Sequence, residues 1–148
     1  MNFGTFKKLG TLFKPVKGNP PALPAAGVRN GAAIDRNVAG GVMYHSATLY
    51  AASGAETGAP SARTLDAKIQ DSADGSTGWA DYIPPGQLTV AAIPQIVAAN
   101  AEAEVDVDLS GAKKFIRVVE TLGFTGGTAP TLGATETVVL GGADRTPV

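Results

Sequence analysis

The residues whose types could carry chemistry are His45, the pair Asp106 and Asp108, and the aspartates at 71, 74 and 81. A histidine acting as a general base needs a nucleophile within hydrogen-bond reach and a third group to orient it. His45 is the single histidine and has no Ser-His-Asp spacing around it, so it reads as a structural residue of a strand. Asp106 and Asp108 stand two apart, which puts both carboxylates on one face of a strand. A glycosidase would need its two carboxyls across a cleft, about 5.5 Å or about 6.5–9.5 Å apart. Alternating acids are more simply the solvated face of a half-buried strand, with Lys113, Lys114 and Arg117 available to neutralise them across strands. Asp71, Asp74 and Asp81 lie among glycines but lack the D-x-D-x-D-G order and distal glutamate of a calcium loop, and turn chemistry accounts for them. There is no G-x-x-x-x-G-K, no G-x-G-x-x-G and no basic stripe interleaved with aromatics on the body. With no cysteine, neither a disulfide framework nor a thiolate metal site exists. The expectation is a protein that is not an enzyme, with no catalytic residue, no metal and no cofactor.

The elements that position these groups are organised around Glu104 to Glu120. Val105, Val107 and Leu109 alternate with Asp106 and Asp108 as in a strand with one wet face. After a hinge at Ser110-Gly111, Phe115, Ile116, Val118 and Val119 place apolar groups on both faces, as a central strand requires. Asn30-Gly31 reads as a tight turn leading into a first strand from Ala32 to Arg36. Val42 to Ala52 reads as a strand, and Ala62 to Ser72 has the cleanest alternation, Leu65, Ala67 and Ile69 against Asp66, Lys68 and Gln70. Asp71 to Asp81 should form a hairpin, with Trp79 capping the core. Gln87 to Ala99 fits a strand in part, and residues 96–103 fit a strand end or a helical turn. Gly126-Gly127 with Pro130 marks a turn, and Thr135 to Leu140 supplies a last strand. The fold class is all-β, a sandwich or jelly-roll-like body of about seven or eight strands.

The chain has 19 glycines and 10 prolines in 148 residues, an excess that favours short strands and turns over long helices. A single domain of this size buries roughly 68–70% of its unfolded surface, enough for a real core. Net charge is only −1, yet the first 34 residues carry Lys7, Lys8, Lys14, Lys17 and Arg29 with no acid. Seven bases against thirteen acids remain for the rest, so the chain reads as a basic arm on an acidic body, suited to a negative surface or to head-to-tail contact between copies. No signal peptide and no run of roughly 18 apolar residues is visible, so a cytoplasmic origin is expected.

Residues 1–26 form the arm and 27–148 the sandwich domain. Met1 to Lys17 fits a short amphipathic helix, since Phe3, Phe6, Leu9 or Leu12, and Phe13 fall near helical spacing with lysines between, a helix weakened by Gly4 and Gly10. Lys14 to Pro24, with four prolines and Gly18, reads as an extended linker. Four lysines are a modest electrostatic footprint, so neither nucleic acid nor membrane is expected as a partner. The partner-binding candidates are Phe3, Phe6, Leu9 and Phe13 as apolar anchors, with Lys7, Lys8 and Lys14 as steering charges; the alternatives are a frayed tail, or Phe6 and Phe13 folded back onto their own body.

Asn30-Gly31-Ala32-Ala33-Ile34-Asp35-Arg36, the stretch Val107 to Val118, Leu140-Gly141-Gly142, and Leu65 to Gln70 running into Asp71 to Trp79 together resemble small structural proteins of tailed-bacteriophage virions, of the head decoration or cement type. The resemblance covers most of residues 27–148. It implies a β-sandwich bound in many copies to the capsid exterior, made in the host cytoplasm, stabilising the lattice through the major capsid protein and neighbouring copies of itself. A second resemblance, of Lys68 through Asp74-Gly75 to Trp79 and the later strands, is to discoidin-like jelly-roll domains. It implies a carbohydrate-binding module, which would need an exposed aromatic platform from Trp79, Tyr82, Tyr44 or Tyr50. A neck, tail or head-fibre position in the virion is the third alternative.

Overall fold

The computed structural model describes residues 13–38 and 41–143. Among them are ten strands: β1 (Lys14–Lys17), β2 (Gly27–Asn30), β3 (Ile34–Asp35), β4 (Asn37–Val38), β5 (Val42–Thr57), β6 (Ala62–Ser72), β7 (Ala80–Asp81), β8 (Glu102–Asp108), β9 (Phe115–Thr125) and β10 (Thr131–Ala143). They form two antiparallel sheets. The first runs β1-β10-β5, with β4 and β8 both on β5; the second runs β2-β9-β6-β7, with β3 also on β9. The all-β sandwich expected from the alternation is what forms.

Alternation explains the core directly. Leu65, Ala67 and Ile69 on β6 face Leu49, Ala51, Val138 and Leu140 of the other sheet, all nearly inaccessible. On β8, Val107 is buried while Glu102, Glu104, Asp106 and Asp108 are exposed. β9 is central, flanked by β2 and β6, and buries Ile116 and Val118 with Val119 on its opposite face. The Ser110-Gly111 hinge is an arch that carries the chain from the first sheet to the second. The hairpin expected at Asp71–Asp81 also forms, with Gln70 opposite Asp81 and Asp71 opposite Ala80.

Several local expectations give way to tertiary packing. Asn30-Gly31 is not a hairpin turn: β2 and β3 both run antiparallel to β9, their registers offset by one residue, so Gly31 sits in a bulge of one long edge. A Cβ on Gly31 would come within 2.6 Å of the Gly18 carbonyl oxygen, so glycine is needed there for close approach. The stretch 82–100 is neither a regular strand nor a helical turn. It lies against β6 through Ala91, Ile93 and Ile96, which are buried, while Leu88 is 96% exposed.

Lys14 to Pro24 is extended but is not a free linker, and Lys14–Lys17 is a strand rather than the end of a helix. β1 pairs with β10, and the chain then stays bonded to it: Gly18 N donates to Glu136 O at 2.9 Å, and Ala22 and Ala134 exchange bonds at 3.1 and 3.0 Å. Pro15 is tolerated because, by the alternation that turns Gly18 N toward β10, its missing N–H belongs to the outer edge. Residues 18–24, here called the strap, then cross from β1 to β2 and close one open side between the sheets.

Candidate functional site

Of the partner-binding candidates, Phe13 and Lys14 are described; Phe3, Phe6, Lys7, Lys8 and Leu9 lie outside the described residues. Lys14 is exposed at the start of β1. Phe13 is 46% exposed, and its ring lies over Gly141, where a Cβ would meet it at 3.1 Å. It borders a shallow groove of about 630 Å³ on the first sheet, whose other walls include Ser46, Thr48, Val139, Asp106 and Asp108. The groove is apolar near Phe13 and acidic along β8.

Asp106 and Asp108 have no basic partner of the kind expected. Asp106 accepts from the Thr48 hydroxyl at 2.7 Å, and Asp108 accepts from Ser110 N at 2.8 Å, which holds its carboxyl below the usual range. The three bases are spent elsewhere. Lys113 donates to Asp71 from both its backbone N and Nζ, Lys114 lies 3.5 Å from Asp35, and Arg117 bonds Gln70. Asp74 is a turn cap. Its carboxylate accepts from the hydroxyl and backbone of Thr77 and from Ser76 N, which holds it far below the ordinary carboxylate range. Among the described residues no cluster of three or more His, Asp or Glu side chains is placed to hold a metal ion.

Trp79 does not cap the core. The Arg117 guanidinium lies 4.5 Å from its ring centroid, on the outer side of the second sheet. Tyr82 closes the core instead, its hydroxyl donating to Asp108 O at 2.7 Å. Tyr44 and Tyr82 are buried and so present no aromatic face, while Trp79 is half-buried with one face covered by Arg117 and Tyr50 is half-buried on β5.

Two buried polar centres escaped the sequence reading. Arg36 is 3% exposed, and its guanidinium donates to the carbonyls of Tyr44, Leu109, Ala112 and Lys113. It therefore ties β5 to the arch and fixes the cross-sheet turn. The second centre is Glu120 on β9 and Glu136 on β10, each 1% exposed and each from a different sheet. Arg29 on β2 forks onto Glu120, Nη2 to Oε2 at 2.6 Å and Nε to Oε1 at 3.2 Å, and reaches Pro20 O and Ala134 O as well. Glu136 has no such cation, and neither its oxygens nor Asn19 Nδ2 make a well-formed hydrogen bond. The signal was present: Glu120 is in phase with Ile116, Val118 and Leu122, and Glu136 with Leu132, Ala134, Val138 and Leu140. Acids on the apolar phase of two strands point inward.

Compared with known proteins, the chain matches no family model and no curated protein.

Proposed function

We propose that the chain is a non-catalytic virion structural protein that binds the outer surface of a bacteriophage capsid lattice and stabilises it, as decoration or cement proteins do. The observation that carries this reading is the placement of the described end of the basic segment. Its root is an anchored strand, β1, that presents Phe13 and Lys14 at the surface beside an acidic groove. A fixed root lowers the ordering cost of docking whatever precedes it. A small contact repeated over a lattice then accumulates stability by multivalency and by mass action on the assembled state. In this reading Phe3, Phe6, Lys7, Lys8 and Leu9 extend the contact to the major capsid protein and to neighbouring copies.

The test is co-sedimentation with empty phage capsids at low and moderate salt. The informative truncation removes residues 1–12, since removing 1–24 would also strip β1 and the strap. Saturable binding in a fixed ratio to the major capsid subunit, weakened by the truncation, is the expected result. Absence of capsid binding by the full chain would overturn the proposal and bring the neck, tail or glycan readings forward.

A further inference from the structure

Two buried carboxyls share one guanidinium under the strap. The charged groups acting on Glu136 are Glu120 from β9 and Arg29 from β2. β5 sets Ala51 beside it, β1 ends in the exposed Lys17, and the strap contributes Asn19, a neutral amide. One guanidinium already engaged with Glu120 cannot neutralise a second carboxylate in a dry core. Desolvation first, and Glu120 next, push the Glu136 carboxyl up to about 8. Burial and the facing Glu120 carboxylate thus favour the protonated form of Glu136.

We propose that the Glu120–Glu136 pair is a proton-operated clasp: protonated, it lets the strap seal the side of the sandwich, and ionisation of Glu136 releases residues 18–22 from β10. The strap is the element that yields because it is the thinnest cover. Pro20, Pro21, Ala22 and Leu23 are exposed, and few apolar contacts hold them. What ties them down is a short set of bonds centred on the buried pair. These are Gly18 N to Glu136 O, Glu136 N to Asn19 O at 3.1 Å, Thr135 Oγ1 to Asn19 O at 3.2 Å, the Ala22–Ala134 exchange, Leu132 N to Pro24 O at 3.3 Å, and Arg29 Nη1 to Pro20 O at 2.8 Å. On its other side β10 is held by β5, paired with it from Thr131 to Ala143. Local opening follows the least stable route. Gly18 makes the seal tight, since a Cβ there would lie 2.8 Å from Val118 Cγ2 in the core. Because the strap joins β1 to β2, its release changes how the whole N-terminal segment is rooted. The clasp does not depend on the capsid reading.

Hydrogen exchange of the full chain, resolved by residue and corrected for intrinsic rates, tests this between pH 6 and pH 9.5. In the wild-type protein the opening of the Gly18 and Ala22 amides should increase up to about tenfold per pH unit from pH 6 to about 8, where the opened strap lets Glu136 ionise, and level off above that. The Leu65 and Ile69 amides on β6 should keep constant protection. In Glu136→Gln the strap amides should show no such rise. Strap protection independent of pH in the wild type, an equal rise in Glu136→Gln, or parallel loss of protection on β6 would each overturn the clasp. The wild-type measurement decides the matter even if the variant folds poorly.

Discussion

Replacing Arg36 by methionine removes five donors while keeping an unbranched apolar stem of similar reach. Of the four carbonyls it serves, those of Tyr44 and Leu109 are bonded at 2.7 and 2.8 Å in fully buried surroundings, while those of Ala112 and Lys113 lie on the half-open arch. A buried acceptor left unpaired costs about 1–3 kcal/mol; Leu109 O keeps its bond from Ala112 N at 3.0 Å, so the Tyr44 carbonyl alone carries that cost, the second bond to Leu109 adds a smaller share, and water can serve the outer two. Against this stands the desolvation of the guanidinium, which lowers the Arg36 pKa and is relieved by the substitution. Among the described residues no carboxylate bonds Arg36; Asp71 acts on it only at longer range and is itself bonded by Lys113. The net expectation is a loss of about 2 kcal/mol, a fall in Tm of about 4–8 °C for a domain of this size. Urea denaturation at pH 7, with the m-value checked for constancy, measures it. Arg36→Lys sharpens the test. It keeps the charge but offers three donors without the planar fork, so it should recover less than half of the loss. A cost below about 1 kcal/mol for Arg36→Met would refute the claim that the guanidinium organises the arch. Full recovery by lysine would show that charge, and not the fork, matters.

Three further outcomes follow from the packing. Glu136→Gln should flatten the dependence of stability on pH. A carboxyl raised in the folded state from 4.5 to about 8 contributes fully below about pH 4.5 and loses its contribution as pH rises to about 8, at most about 5 kcal/mol, so urea melts of wild type and variant should diverge most above pH 8. Gly31→Ala would press a Cβ onto two backbone oxygens, Gly18 O at 2.6 Å and Val118 O at 3.0 Å, and should cost about 2 kcal/mol in thermal melts, whereas a cost near zero would mean the strap is not seated there. Arg117→Ala uncovers the face of Trp79, the single tryptophan, and should red-shift its fluorescence and lower stability by about 1 kcal/mol; an unchanged spectrum would place the ring elsewhere.

The parts of the fold that were legible are those in which one strand carries its own instruction. Leu65, Ala67 and Ile69 alternate with polar residues, and period two fixes which face is buried whatever the partner. β8 and β9 were readable for the same reason. β1 was not, because KPVK has no alternation to speak of and a proline that argues against a strand; its pairing is supplied by β10, and only the edge position makes Pro15 harmless. Asn30-Gly31 misled because glycine answers two needs, a tight turn and a close approach. Only the position of Gly18, thirteen residues before Gly31 in sequence and reached through tertiary packing, decides between them. For Phe13 the apolar character was legible and its seat over Gly141 was not, since that contact joins residues 128 positions apart.

The two buried polar centres share a cause that bears on how such a sandwich is assembled. Arg36 sits where the chain crosses from the first sheet to the second at the arch, and Arg29 with Glu120 and Glu136 sits where it crosses at the strap. At both places irregular backbone is brought against the core, and its carbonyls have no neighbouring strand to pair with. An arginine fork, with donors in several directions, satisfies carbonyls that a ladder cannot reach. Hydrophobic alternation thus builds each sheet, whereas the joins between sheets are held by charges that alternation would exclude. At the arch the fork meets carbonyls alone, so that join is indifferent to pH near neutrality. At the strap the fork is committed to Glu120, a second acid is left in its shadow, and the join acquires a dependence on one proton.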